Sequence, residues 1–182
     1  MLFRSDIMNI SIESKYKKAL LKHLDIEREL QSLPHGYISK KVIHGKTQYY
    51  LQRRVGKRII GKYIPDAEVE TVKKGLLRRT ALREELLGVN ARISELESAA
   101  RLIDTSVYNK LLLLKACVPM EHLTSEERYK ASSFAGAMNA VEGVHSTTET
   151  QSAIRKWIAG EVSFLSVYEN TLKRYGFPVK GR

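Results

Sequence analysis

Between Gly36 and Ile64 the chain changes its period. On either side of this stretch, apolar residues recur every three or four positions, the spacing of one helix face. Inside it, three short runs rich in β-branched and aromatic residues are separated by glycine-containing links. The runs are Tyr37–Ile43, Thr47–Val55 and Arg58–Ile64, with His44-Gly45-Lys46 and Gly56-Lys57 between them. Short glycine links between strand-like runs predict an antiparallel meander. The fold class that follows is α+β, mostly α: one small three-stranded sheet in a helical chain.

The helices are read from their punctuation. Residues 10–33 carry Ile10, Tyr16, Leu20, Leu24 and Leu30 near helical spacing, and Pro34 and Gly36 end the run. Pro65-Asp66 opens a long helix with Asp66 as its N-cap. Along it, Leu82, Leu86, Val89, Ile93, Leu96, Ala100 and Ile103 alternate at spacings of four and three. That is a coiled-coil-like seam. It fits either a homodimer through helix 66–104 or a helix packed on neighbours within the chain, with helix 10–33 and the apolar helix Val107–Val118, ending at Pro119, as the neighbours. Beyond residue 120 three shorter helices are expected. Thr124 and Glu127 form a capping box for the first, which runs to about Glu142 and stops at Gly143. The second spans about Glu149–Ala159, and the third about Phe164–Tyr175, capped by Gly176 and followed by Pro178. Phe134, Trp157, Phe164, Tyr168 and Leu172 are the expected core anchors. The organisation is then 1–65, an N-terminal helix with the meander; 66–119, a helical hairpin; and 120–182, a three-helix module.

Composition excludes several classes. At 182 residues and 43% apolar, the chain can build a core as one domain or two small ones. One cysteine excludes a disulfide framework and a multi-cysteine metal site. Cys117 lies in an apolar run and reads as a small buried hydrophobe. The five histidines are scattered, so no metal is expected. No glycine-rich nucleotide cradle and no nucleophile elbow occurs, so no cofactor and no enzymatic activity is expected. No apolar run is long enough for a membrane span, and the first residues lack the order of a signal peptide. The expected location is the cytoplasm.

The net charge of +11 is unevenly placed. Residues 1–65 hold 14 basic and 5 acidic residues, a net +9, while 66–119 and 120–182 each carry +1. Gly36–Tyr63 contains Lys40, Lys41, Lys46, Arg53, Arg54, Lys57, Arg58 and Lys62 and no acidic residue. Such a block suits a polyanion. In the second strand Tyr49, Leu51 and Arg53 share one face, and Tyr50, Gln52 and Arg54 the other. The Leu51 face is expected to pack on a helix. Tyr50, Gln52 and Arg54 then point outward, with Lys40, Lys57 and Lys62 as neighbours, to meet phosphates and base edges. This basic sheet followed by a helix resembles the arm-type DNA-binding domains of phage integrases. A solvated basic face without a ligand is the other reading.

The C-terminal module carries a second resemblance. Residues 131–175 read ASSFAGAMNAVEGVHSTTETQSAIRKWIAGEVSFLSVYENTLKRY. Glu142-Gly143 closes the first helix, and Gly160-Glu161 follows after the sixteen residues Val144–Ala159. This pattern resembles the VbhA-type antitoxins of Fic-domain toxins. Those are three-helix units whose first helix ends in [ST]-x-x-x-E-[GN]. At the Ser/Thr position this chain has Met138. The resemblance implies that the protein binds a Fic-domain adenylyltransferase and inhibits AMP transfer. Glu142 would then pair with an arginine that orients ATP, and Gly143 would turn the chain away. A solvated glutamate before an ordinary glycine cap is the alternative. Residues 1–120 would serve a second role, DNA binding or dimerisation.

Overall fold

A computed structural model describes residues 2–174 and 176. The fold is α+β and mostly α, with six helices and one three-stranded antiparallel sheet among the described residues. The chain divides into two compact units. One is Asp25–Ala91; the other is formed by the chain up to Leu24 and from Arg92 onward. The division cuts helices α1 (Leu2–Ser32) and α2 (Val69–Ile103) rather than falling at the expected boundaries near residues 65 and 119.

In the Asp25–Ala91 unit, strands β1 (Tyr37–Ile43), β2 (Lys46–Val55) and β3 (Arg58–Ile64) follow in sequence order, each antiparallel to the next. Ile43 pairs with Lys46, which leaves His44 and Gly45 as a two-residue loop. Both have positive φ, 51° and 73°, the combination a type I′ hairpin turn requires. Pro34 sets the end of α1. A proline has no N–H, so the Leu30 carbonyl loses its helical donor. Arg79 of α2 replaces it: Nη1 donates to the Leu30 oxygen at 2.5 Å and to the Leu33 oxygen at 3.2 Å. Gly75 of α2 permits this approach, because a Cβ there would lie 2.7 Å from the Pro34 ring. Beside it, Arg78 grips the Glu29 carboxylate at 2.7 and 2.9 Å. Ile26, Ile64, Val69, Leu82 and Val89 form the buried apolar centre of this unit. Asp66 is not an N-cap. It opens a 3-10 turn, Asp66–Glu68, that precedes α2 and makes no side-chain cap bond.

The second unit packs α3 (Thr105–Glu121), α4 (Ser125–Val141), α5 (Thr148–Ala159) and α6 (Phe164–Arg174) with the neighbouring parts of α1 and α2. Its core contains Tyr16, Leu20, Leu96, Ala100, Leu111 and Trp157. Most of the heptad-like seam of α2 is therefore spent inside a single chain, with Leu82, Val89, Ile93, Leu96 and Ala100 all buried. The stop expected at Pro119 does not occur. The helix continues to Glu121, because a proline in the last turn removes one donor while His122 N–H still reaches the Val118 and Pro119 carbonyls at 3.2 Å. Cys117 is buried, and that burial pushes its thiol pKa up, as for an inert apolar side chain. Two of the expected anchors are misplaced: Phe134 is 70% exposed and Tyr168 is also exposed, while Trp157 fills the core with Phe164 tilted against it at 4.9 Å. Tyr175 and Pro178 lie outside the described residues. No helix among the described residues is long and apolar enough to cross a membrane.

One polar group is built into this core. The Tyr16 hydroxyl donates to Glu97 Oε1 at 2.6 Å, and Lys115 Nζ reaches the same oxygen at 2.9 Å. Burial alone would push the Glu97 carboxyl up. The Tyr16 and Lys115 hydrogen bonds outweigh it and hold the carboxyl below the usual glutamate range. A depressed carboxylate stabilises the fold above its unfolded pKa, and that contribution disappears as pH falls through the folded value. Tyr16→Phe should therefore cost about 1.5–3 kcal/mol at neutral pH. The gap to wild type should narrow once the pH drops below about 4.3. Urea titrations followed by circular dichroism at both pH values check this, and a gap independent of pH would refute it.

Candidate functional site

Two surfaces carry the residues singled out by sequence. The first is the end of α4. Its start is closed by the expected capping box: Glu127 N–H donates to Thr124 Oγ1 at 3.3 Å, and Thr124 N–H donates to Glu127 Oε2 at 2.7 Å. One residue later, Arg128 ties three helices together. Its Nη1 donates to the Trp157 carbonyl of α5 at 2.9 Å, and its Nη2 donates to the Glu121 carbonyl of α3 at 3.0 Å. The guanidinium also lies 5.6 Å from the centre of the Trp157 ring. Sequence reading missed Arg128. Nothing in its spacing marks it, because its partners are backbone carbonyls.

At the other end, Gly143 N–H donates to the Ala140 carbonyl at 3.1 Å and Val144 N–H to the Asn139 carbonyl at 2.8 Å. That pair is a Schellman closure, and it requires the left-handed residue that Gly143 supplies at φ 73°. Gly160 and Glu161 close α5 on Trp157 and Lys156 in the same way. Glu142 is thus the last residue before the turn, with an exposed side chain. Among the described residues no hydrogen bond or ion pair engages its carboxylate. Phe134, Met138 and Glu142 are spaced four apart and so lie on one helix face. Phe134 at 70%, Met138 at 48% and Val141 at 84% exposure form an uncovered apolar stripe leading to Glu142. Among its described residues α4 buries none. It meets α5 through small residues, with Ala131, Ser132, Ala135 and Gly136 lining a cleft against Ile154 and Trp157.

The second surface is the sheet, and here the register corrects the expected grouping. Lys40 pairs with Tyr49 and Lys62 with Leu51, so both lie on the Leu51 face. Arg58 pairs with Val55 and joins them, and Lys57 sits in the turn. The Leu51 face packs as expected: Leu51, Arg53 and Ile60 share a cleft with Leu30 and Leu33. The open face instead presents Tyr37, Ser39 and Lys41 from β1, Lys46, Gln48, Tyr50, Gln52 and Arg54 from β2, and Ile59, Gly61 and Tyr63 from β3. Tyr50 and Tyr63 meet edge to face with centroids 5.8 Å apart, and Lys41 Nζ stands 5.2 Å from the Tyr50 centroid. The Tyr50 hydroxyl donates to Gln48 at 2.7 Å. Tyr37 and Tyr63 are 52% and 49% exposed. The sequence reading does not include these two tyrosines among the site residues, although strand alternation places them on this face.

A family model described as a domain of unknown function, DUF6788, matches residues 16–74. That span contains the whole sheet and leaves α3–α6 outside it. No curated protein and no solved structure matches the chain.

Arg128 generates a direct test. Lysine keeps the charge but cannot hold two carbonyls with one planar fork. Arg128→Lys should lower stability by about 1.5–3 kcal/mol. The protein has a single tryptophan, so Trp157 fluorescence during urea unfolding reports this helical unit. Arg155→Lys, at an exposed position of α5, should leave the midpoint unchanged.

Proposed function

We propose that the chain is an antitoxin whose helices α4–α6 bind a Fic-domain toxin and block AMP transfer through Glu142. The observation that carries this reading is the placement of Glu142. A helix ends in free carbonyls and a partial negative charge, which disfavour a carboxylate there. Glu142 therefore contributes nothing evident to its own helix, and it stands at the end of an uncovered apolar stripe. Exposed apolar stripes of this kind suit contact with another protein. A carboxylate can take the place of a phosphate oxygen in an arginine fork. Phosphoryl-type transfer depends on positioning, so a small displacement of ATP costs a large factor in rate. Met138 stands where the family pattern has a hydroxyl, so the inhibitory contact rests on the carboxylate.

Co-expression with a Fic-domain adenylyltransferase, taken from the adjacent open reading frame where that frame encodes one, tests the proposal. Wild type should suppress AMP transfer. Glu142→Gly should restore it while the two proteins still co-purify, since the apolar stripe is untouched. Unaltered transfer in the presence of wild type would overturn the reading.

A second reading is favoured by a separate observation. The register gathers Lys41, Lys46 and Arg54 with Tyr50 and Gln52 on one open face, which supports nucleic-acid binding by the sheet and, for an antitoxin, control of its own operon. Each phosphate neutralised contributes about −0.9 to the slope of log K against log salt on duplex DNA. Replacing Lys41 and Arg54 by alanine should flatten that slope by about 2 units, one per lost contact. The same change at Lys40 and Lys62, on the packed face, should flatten it less. Absence of binding at low salt would exclude this reading.

A further inference from the structure

We infer that the open face of the sheet is a stacking platform for single-stranded nucleic acid; this deepens the nucleic-acid reading of the sheet and rests on it. Tyr50 of the central strand faces Tyr63 on one neighbour, and Tyr37 lies on the other neighbour opposite Gln52. Three tyrosines thus occupy adjacent positions on all three strands. Tyr37 and Tyr63 leave about half of their surface to solvent. Ring faces are of little use to a duplex reader, because paired bases keep their own faces stacked and show only edges in the grooves. Ring faces are what unstacked bases need.

Gly61 adds shape to this chemistry. It lies opposite Gln52 and between Ile59 and Tyr63 on the same face. A Cβ placed there would meet only the Gln52 side chain, at 3.5 Å from its Cγ and 3.8 Å from its Nε2. The strand backbone is therefore open at this point, flanked by an aromatic residue and an aliphatic one. A planar base can lie on it with the Gln52 amide at its edge. Lys41, Lys46 and Arg54 share the face, and no acidic residue occurs from Gly36 to Tyr63. A phosphate backbone thus meets only positive charge within the sheet.

The experiment uses the full chain and fluorescence anisotropy. The probes are labelled oligothymidylate, oligouridylate, a mixed-sequence duplex of equal length and a poly-glutamate peptide. At least one single strand should bind more tightly than the duplex, and the preferred one states whether the ligand is DNA or RNA. Tyr63→Leu keeps an apolar strand residue but removes the ring. It should weaken single-strand binding about 5- to 150-fold, corresponding to ~1–3 kcal/mol per stacked base. Tyr63→Phe should retain affinity. Gly61→Val, with a residue that strands accept, should weaken single-strand binding by filling the open position. Tighter binding of duplex than of either single strand would overturn the inference while leaving nucleic-acid binding in place. So would full affinity in Tyr63→Leu together with loss in Lys41→Ala. Equal binding of poly-glutamate, or no binding of any nucleic acid, would overturn both.

Discussion

The fold depends on finding donors for helix C-terminal carbonyls, and in each unit an arginine supplies them. In the Asp25–Ala91 unit, Pro34 ends α1 and strips the Leu30 carbonyl of its N–H, which Arg79 replaces from α2. In the other unit, Arg128 reaches the Glu121 carbonyl of α3 and the Trp157 carbonyl of α5. Both sites follow from one constraint. A chain with many helix ends and few strands has many carbonyls to satisfy, and a buried one left alone costs about 1–3 kcal/mol. A guanidinium offers several donors in a fixed fork and remains charged, which also suits the negative end of a helix. Packing then follows. Gly75 must lack a side chain so that α2 can approach Pro34 closely enough for Arg79 to reach.

Pairing register has the same organising weight for the sheet. A shift of one residue would exchange the two faces of β2. The hairpin at His44-Gly45 holds Ile43 against Lys46 and sets the β1–β2 pairs, and the Gly56-Lys57 turn sets the β2–β3 pairs from Val55 against Arg58. Lys41 and Lys40 are adjacent in sequence, yet one joins the open aromatic face and the other the face that meets α1. The basic block of the sequence is therefore divided by strand alternation between two surfaces. The Leu51 face keeps Tyr49 with Lys40, Arg58 and Lys62, while the open face gathers three tyrosines with Lys41, Lys46 and Arg54.

Most of the architecture was legible in the sequence because its signals are local. Glycine links announced the meander, the Thr124–Glu127 box announced α4, and Gly143 and Gly160 announced the ends of α4 and α5. The features that escaped depend on contacts between segments far apart in the chain. Arg128 and Arg79 bind carbonyls of other elements, which no periodicity reveals. Sequence alone groups Lys40 and Lys62 with Tyr50, whereas cross-strand pairing puts both on the Leu51 face. A large aromatic such as Phe134 is expected in the core, whereas α4 turns its small residues inward and leaves its large ones out. Pro119 predicts a helix stop that its position in a last turn does not enforce. Glu142 and Gly143 could be located from their motif, while the apolar stripe beside them required the fold.

That stripe bears on how α4 is held. A helix of this length with no buried side chain has little packing energy of its own, and short helices are marginal in water without it. The Thr124–Glu127 box, the Arg128 fork and the Gly143 closure supply the missing order at its two ends. The arrangement separates what folds the helix from what its surface shows. Phe134, Met138, Val141 and Glu142 can change without loss of core contacts, and they are displayed on a helix that is already formed. A partner that reads them does not bear the cost of ordering the segment, which is how pre-organisation raises affinity. Under the proposed antitoxin activity, that pre-formed end is what allows a single carboxylate to compete for an arginine against the phosphates of ATP.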